Sequence, residues 1–169
     1  MKLSFAIQTL ENNHSVFSGL LRNIEAAEYT WRPEEKSWCM LQVVCHLLDE
    51  ESEDFRKRMK HCLEDPKAPF DPINPQGWVE SRKYMEQDYG QKVEAFLSER
   101  ATSVQWLKSL VDPPLQNFHE HKHFGKMTAQ FFLNNWMAHD YLHIRQLLRL
   151  RNGYLRAHVS EPVEYAGNW

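Results

Sequence analysis

The chain has 169 residues, 42% of them hydrophobic, and a formal net charge of -3 at neutral pH. A chain of this length can bury one continuous core without disulfides or structural metals, so we expect a single domain over residues 1–169. Acidic and basic residues are scattered, and solvated helix faces explain the basic runs. This balance gives no reason to expect nucleic acid or an anionic membrane as a partner. No apolar run reaches the length that spans a bilayer.

The cysteines and the N-terminal segment indicate the cellular compartment in which the protein is expected. Cys39, Cys45 and Cys62 all fall in one predicted helix, where neighbours along a rigid rod cannot easily form a disulfide. The first residues lack the features of a signal peptide or a membrane anchor. Reduced thiols in a cytoplasmic protein are therefore expected.

The first half of the chain predicts two helices and a long connection. Apolar residues at steps of three and four indicate an amphipathic helix over residues 4–28. Ser37 can cap a second helix that ends near Leu63. The proline-rich residues 64–78 must be a connection, with one helical turn expected around residues 78–85.

The second half predicts two more helices. The third covers residues 91–111 and is stopped by two prolines. After the polar stretch HEHKHFGK, a fourth begins near Thr128 and runs to about Arg151, with Gly153 as its C-terminal cap. Four long helices and no clear strand predict an all-α fold, a four-helix bundle with a long proline-rich connection between its second and third helices. Its core covers about residues 4–152, and residues 153–169 form an unassigned tail.

Two histidines lie four residues apart in the fourth helix, in the stretch HDYLHIRQLL. His139 and His143 differ by about 40° around the helix axis, and their Cβ atoms are about 6 Å apart, so both rings reach one point. They lie on the face that should turn into the bundle, and HxxxH is a common way for a helix to supply two metal ligands. Two interior histidines satisfied by hydrogen bonds are an equally good interpretation of this motif alone.

A third histidine, His46, lies in the first half of the second helix, from which it can face the fourth. The apolar residues around it leave few polar faces, which favours an internal polar cavity over a solvated outer face. Three histidines from two helices, with positions left open, are typical of a catalytic metal site. The polar seam that His46 shares along its helix also contains Cys39, Gln42, Glu50 and Glu53.

Two residues next to these histidines are candidates for supporting roles. Glu50 follows His46 by one helical turn and points within about 40° of it, so it can be a fourth ligand or a base acting on bound water. Gln146 follows His143 by almost one turn and can donate a hydrogen bond to a bound group or be a satisfied core amide.

Other polar candidates are assigned to solvated positions. The cluster His119, His121 and His123 is expected to be a polar loop that can overhang the mouth of the cavity. Asp49 and Glu53 are expected to be surface carboxylates.

Several motifs occur in a fixed order, and together they resemble the DinB/YfiT-like superfamily over residues 4–152. The resemblance implies a four-helix bundle that binds a divalent metal, zinc or nickel, through three histidines matching His46, His139 and His143. Glu50 does not belong to the family's core motif. The motifs are Trp31 and Pro33, Lys36-Ser37-Trp38, His46-Leu47 followed by acids, Gly125-x-Met127-Thr128, and His139-Asp140-x-x-His143-x-x-Gln146.

Characterised relatives in this superfamily include S-transferases that use bacillithiol, isomerases that use mycothiol, and proteins assigned as metal-dependent hydrolases. The resemblance therefore implies an enzyme acting on a small molecule. It would transfer a low-molecular-weight thiol to an electrophile or carry out metal-assisted hydrolysis. The alternative is a non-catalytic stress-response module that binds a metal or a small ligand. Four helices of this size often leave apolar faces exposed, which is compatible with a homodimer.

Overall fold

The computed structural model describes residues 2–167, and most of them are helical. A π-helical segment, Glu51–Phe55, joins the helices α3 (Met40–Glu50) and α4 (Arg56–Glu64) into one continuous rod, called here the α3–α4 rod. None of the helices in the described range is long and apolar enough to cross a membrane. In chain order the helices and strands are α1 (Leu3–Leu21), α2 (Ala26–Tyr29), α3 (Met40–Glu50), α4 (Arg56–Glu64), α5 (Pro75–Ser81), α6 (Tyr89–Ser109), β1 (Phe118–His121), β2 (Gly125–Thr128) and α7 (Ala129–His158).

The four long elements form the bundle that the sequence predicts. Helix α1 packs against α6 and α7, and the α3–α4 rod packs against the same two helices. Consequently α1 and the rod lie diagonally opposite each other although they are consecutive in the chain. The third helix, α6, agrees with the predicted range to within two residues at each end.

Two boundaries in the first half differ from expectation. Helix α1 ends at Leu21, well before residue 28, because Asn23 adopts a left-handed backbone with φ of 58°. Ser37 does not cap the second helix. The N-cap is Cys39, and its backbone N–H donates to the side-chain oxygen of Gln42 at 3.1 Å. This side-chain acceptor satisfies a backbone donor at the helix start, so the helix begins at residue 40.

In α7 the expected end was wrong, because the helix continues through Gly153 to His158. A Cβ atom at position 153 would lie 2.8 Å from the ring of Trp31. The glycine therefore permits the close approach of an aromatic ring to the helix, and it does not terminate the helix.

The segment HEHKHFGK forms a β-hairpin, which corrects the expectation of a chain without strands. Its strands pair antiparallel, from Phe118 opposite Thr128 to His121 opposite Gly125. Gly125 has φ of +66°, a conformation that glycine adopts without steric cost. Polar residues dominate the first strand, so the usual alternation of apolar residues is missing.

The proline-rich connection is fixed to the α3–α4 rod by two acidic side chains. Tyr84 donates a hydrogen bond to Asp49 at 2.6 Å, and Arg82 lies 2.9 Å from Asp49 and 2.6 Å from Glu53. The expectation of a surface carboxylate was wrong for Asp49, whose side chain is 14% exposed, while that of Glu53 is 43% exposed. In the same connection the helical turn begins at Pro75, earlier than expected.

A layer of buried polar residues separates the two apolar clusters of the bundle. Arg100 on α6 donates to Glu51 of the rod, with both distances 2.8 Å, and to Asp140 of α7, with both distances 2.7 Å. Asn13 of α1 donates to the same Asp140 at 2.9 Å. Trp136 Nε1 donates to Glu51 at 2.8 Å. One hydrogen-bonded network thus joins all four bundle elements.

We expect Arg100→Met to lower the free energy of unfolding by roughly 3–5 kcal/mol, because Glu51 and Asp140 would remain buried without their cation. Urea denaturation followed by circular dichroism measures the change. Arg22→Ala, which removes an exposed ion pair with Glu94, is the matched control and should have a much smaller effect. Arg100→Lys keeps the charge and should fall between them. Equal, small effects of the Met variant and the control would contradict the role of this network.

Candidate metal centre

Three imidazole rings meet between the α3–α4 rod and α7. The Nε2 atom of His139 lies 3.2 Å from Nε2 of His46 and 3.1 Å from Nε2 of His143. All three nitrogens lie within 4.8 Å of one another. The structure thus brings together the three histidines that the sequence singled out.

Local structure explains why these rings converge. His139 and His143 are one turn apart on α7, so both project from one face of the helix. His46 reaches them from α3, and Trp38 packs edge-on against it with ring centroids 5.1 Å apart. Phe55 packs against His139 with centroids 5.0 Å apart. Aromatic rings therefore restrict the orientations of two of the three imidazoles.

Burial keeps the three histidines neutral. Desolvation, with the nearby His143, lowers the pKa of His46 to about 3. Desolvation lowers the pKa of His139 to about 2, and the neighbouring histidines and Arg100 act in the same direction. The pKa of His143 is also lowered by burial, against an opposing hydrogen bond. The ring nitrogens are thus free of added protons at neutral pH and can act as ligands.

Gln146 fixes the protonation pattern of His143. Its side-chain oxygen, which can only accept, lies 2.8 Å from Nδ1 of His143. Nδ1 must therefore carry the proton, and the Nε2 lone pair points into the cluster. Gln146 therefore contacts the side of His143 that faces away from the cluster, and its side-chain oxygen is engaged in that hydrogen bond. The expected contact of Gln146 with a bound group stays a prediction.

Glu50 lies on the Nδ1 side of His46, away from the nitrogen that faces the cluster. Its Oε1 atom is 3.9 Å from Nδ1 of His46, and within residues 2–167 that buried nitrogen has no hydrogen-bond partner. Desolvation, and then the neighbouring Asp54, raise the pKa of Glu50 to about 8. Burial thus favours the protonated form of Glu50, which can donate a hydrogen bond to the neighbouring Asp54.

Asp54 is a candidate that the sequence did not reveal. In an uninterrupted α-helix, Glu53 would lie within about 20° of His46, because seven residues make nearly two turns. The π-helical segment Glu51–Phe55 inserts one extra residue into this spacing. Asp54 thereby takes the direction expected of Glu53 and lines a cavity together with His139.

This cavity has a volume of about 780 Å³ and lies beside the histidine cluster. Its walls come from the π-helical segment, α4, the proline-rich connection, the hairpin and the first turns of α7. From the hairpin, His121 and Phe124 form part of the lining.

The histidines of the hairpin serve separate structural contacts. His119 Nδ1 lies 3.1 Å from the backbone oxygen of Pro66. His121 Nδ1 accepts hydrogen bonds from the backbone N–H groups of His123 and Phe124, both at 3.2 Å. In the described part of the chain they do not form a second metal-type cluster.

The donor set of the three-histidine cluster fits a divalent metal. Three nitrogens bound tetrahedrally to one zinc ion at about 2.0–2.1 Å would be about 3.3 Å apart, close to the two shortest separations found here. Lone pairs of neutral imidazoles that face one another at such distances repel unless a cation or a proton lies between them. Imidazole donors suit several divalent metals, among them zinc and nickel.

A helical bundle with a buried three-histidine cluster beside a cavity defines the class, a four-helix bundle with a metal-type site. The sequence matches the family model of the DinB superfamily over residues 9–147, and the chain belongs to this superfamily. The comparison with curated proteins finds no match.

Two solved structures share the fold. YfiT from Bacillus subtilis, described as a probable metal-dependent hydrolase with an unusual four-helix bundle topology, is 18% identical, with a TM-score of 0.78 over 89% of this chain and 86% of its own. TT2238, a four-helix bundle protein, is also 18% identical, with a TM-score of 0.52 over 88% of this chain and 99% of its own. At this identity the similarity shows the fold.

We expect Gln146→Leu to lower zinc affinity by roughly 10–100-fold, because His143 would lose the acceptor that sets its proton on Nδ1. Competition with a zinc-binding dye measures the affinity. Gln130→Leu, on the first turn of the same helix and away from the cluster, is the control and should bind zinc as the parent does. An unchanged affinity in Gln146→Leu would show that the contact does not support a metal ligand.

Proposed function

We propose that the protein is a divalent-metal-dependent hydrolase whose metal is bound by His46, His139 and His143. The observation that carries this proposal is the convergence of three neutral imidazole nitrogens, one of them on His139 in the wall of a cavity large enough for a small-molecule substrate. The description of YfiT, which shares the fold, supports hydrolysis as the reaction.

When bound, a divalent metal supplies Lewis acidity, which lowers the pKa of water or polarises a carbonyl group. The residues of the chain prepare the site for this chemistry. His46 and His139 stay neutral because they are buried. Gln146 holds His143 in the form whose Nε2 lone pair faces the cluster. His139 connects the cluster to the cavity, because it is also one of the lining residues.

We assign Asp54 as the general base of the hydrolysis. It lines the cavity with His139, lies next to Glu50 and is paired with Arg58. Burial raises the pKa of Asp54, while Arg58 and protonated Glu50 act against this rise, so the carboxylate can be ionised and accept a proton from a nucleophile in the cavity. Glu50, the residue expected from the sequence to act as base, instead keeps its proton and supports Asp54.

His143→Ala should lose both bound metal and hydrolytic activity while it keeps most of its helicity, because the apolar clusters of the bundle do not depend on the ion. Elemental analysis, ester and amide hydrolysis, and circular dichroism measure the three properties. His158→Ala, which changes an exposed histidine at the end of the same helix, should resemble the parent. Metal retained at full stoichiometry in His143→Ala would contradict the ligand set.

The same assays separate hydrolysis from the two other functions that the family resemblance suggests. A product that appears only when a low-molecular-weight thiol and an electrophile are supplied would indicate S-transfer. Bound metal with no turnover of any of these substrates would favour a non-catalytic binding module.

Asp54→Asn should retain metal but reduce kcat by about 10²–10⁴-fold, because the amide cannot accept the proton. Glu50→Gln is the matched control. Its amide can still donate to Asp54, so the loss of kcat should be much smaller. Steady-state kinetics at neutral pH on metal-loaded variants gives both values. A larger loss in Glu50→Gln than in Asp54→Asn would reverse the assignment and make Glu50 the base.

A further inference from the structure

Aromatic rings form much of the cavity wall beside His139. Phe70 packs edge-on against Phe132 with centroids 5.7 Å apart, and Phe131 packs edge-on against Phe132 at 5.4 Å. Two of the rings reach solvent, since Phe124 is 74% exposed and Phe131 is 41% exposed. Such rings present both faces and edges to a flat ligand. The phenylalanines that line the cavity are Phe55, Phe70, Phe124, Phe131 and Phe132.

The charged side chains of the cavity are compensated within the protein. Asp54 is paired with Arg58, whose guanidinium also lies 4.7 Å above the ring of Phe70. Asp71 is paired with Lys57 at 2.7 Å. The cavity therefore offers a compensated ion pair at its inner wall and another at its rim. A charged ligand would have to compete with the largely buried Asp54–Arg58 pair, whereas a neutral ligand leaves it intact; the exposed Lys57–Asp71 pair adds little to this preference.

His121 also lines the cavity, and its Nδ1 atom accepts hydrogen bonds from the backbone N–H groups of His123 and Phe124. The volume of about 780 Å³ lies within the usual range of small-molecule sites, about 300–1,000 Å³.

We infer that this cavity selects neutral substrates that carry an aromatic group, which stacks among the phenylalanines while the bond to be cleaved is held beside His139. This inference rests on the proposed hydrolase function and specifies its substrate class. Esters and amides with an aryl group fit, and small molecules with a carboxylate or an ammonium group near the ring are disfavoured.

Two probes that hardly differ in size test the preference for neutral ligands. Calorimetric titration with 4-phenylbutanamide and with 4-phenylbutanoate is carried out on the purified protein and again after metal removal with a chelator. In the metal-free protein, where the lining alone decides, we expect the amide to bind at least tenfold more tightly than the carboxylate, because the carboxylate would meet the like charge of Asp54 and Arg58 is already paired with that residue.

Variants of the wall test the site of binding. Phe131→Ala should weaken binding of the amide by about tenfold, because a ring that covers the ligand is lost. Phe124→Ala, in the exposed turn of the hairpin, should weaken it in the same direction without altering the bundle core. Phe5→Ala, which removes a 58% exposed ring on α1, is the control and should leave binding unchanged.

Equal or tighter binding of the carboxylate to metal-free protein would overturn the inference, as would no detectable binding of the amide or unchanged binding in both cavity variants. These titrations require neither turnover nor metal. If His143→Ala retained its metal, the ligand set would be wrong but the binding result could still be interpreted. If the amide and the carboxylate bound equally well, the proposed substrate class would be wrong but the hydrolase proposal would stand.

Discussion

The buried contact of Arg100 with Glu51 and Asp140 is the interaction on which the rest of the structure depends. Its three charged groups are at most 1% exposed, and hydrogen bonds extend from them to α1 and to Trp136. Apolar packing alone allows helices to slide or rotate against each other, whereas this network fixes one register, because any shift would leave a buried charge unpaired. The residues of the candidate site are next to the network in the chain: His139 precedes Asp140, and Glu50 precedes Glu51.

The π-helical segment determines which side chain of the rod reaches the cavity. It contains Glu51, so the network and the change in helical spacing occur at the same place. The extra residue directs Asp54 toward the side of His139 and leaves Glu53 with Arg82 on the outer side. Local departures of this kind from α-helical geometry often lie at functional sites, where they turn a particular side chain toward a ligand.

The parts of this architecture that follow from regular periodicity could be predicted from the sequence. The bundle, its proline-rich connection and the meeting of His139 with His143 depend only on 3.6-residue spacing. His46 could be assigned to the same site because its surroundings are apolar.

The role of Asp54 could not be predicted, since a single π-turn leaves no mark on the residue pattern and shifts every later residue by about 100°. The hairpin was missed because its first strand lacks alternation. Arg100 had a signal, because it interrupts the apolar stripe between Phe96 and Val104 at α-helical spacing.

The network and the histidine cluster are also connected by charge. Arg100 is neutralised by two carboxylates, yet its cation still disfavours a proton on His139, whose pKa it helps to lower. An imidazole that cannot hold an extra proton is free to coordinate a cation through its lone pair, because the two compete for the same electrons. Meanwhile the buried Nδ1 of His46 lacks a hydrogen bond within the described residues, which costs stability that a leucine would not. A histidine cluster that stays neutral and lowers the stability of the protein is better explained by ligand binding than by packing. Arg100 of the ion network that holds the helices in register therefore also helps burial to keep His139 neutral and able to bind a metal.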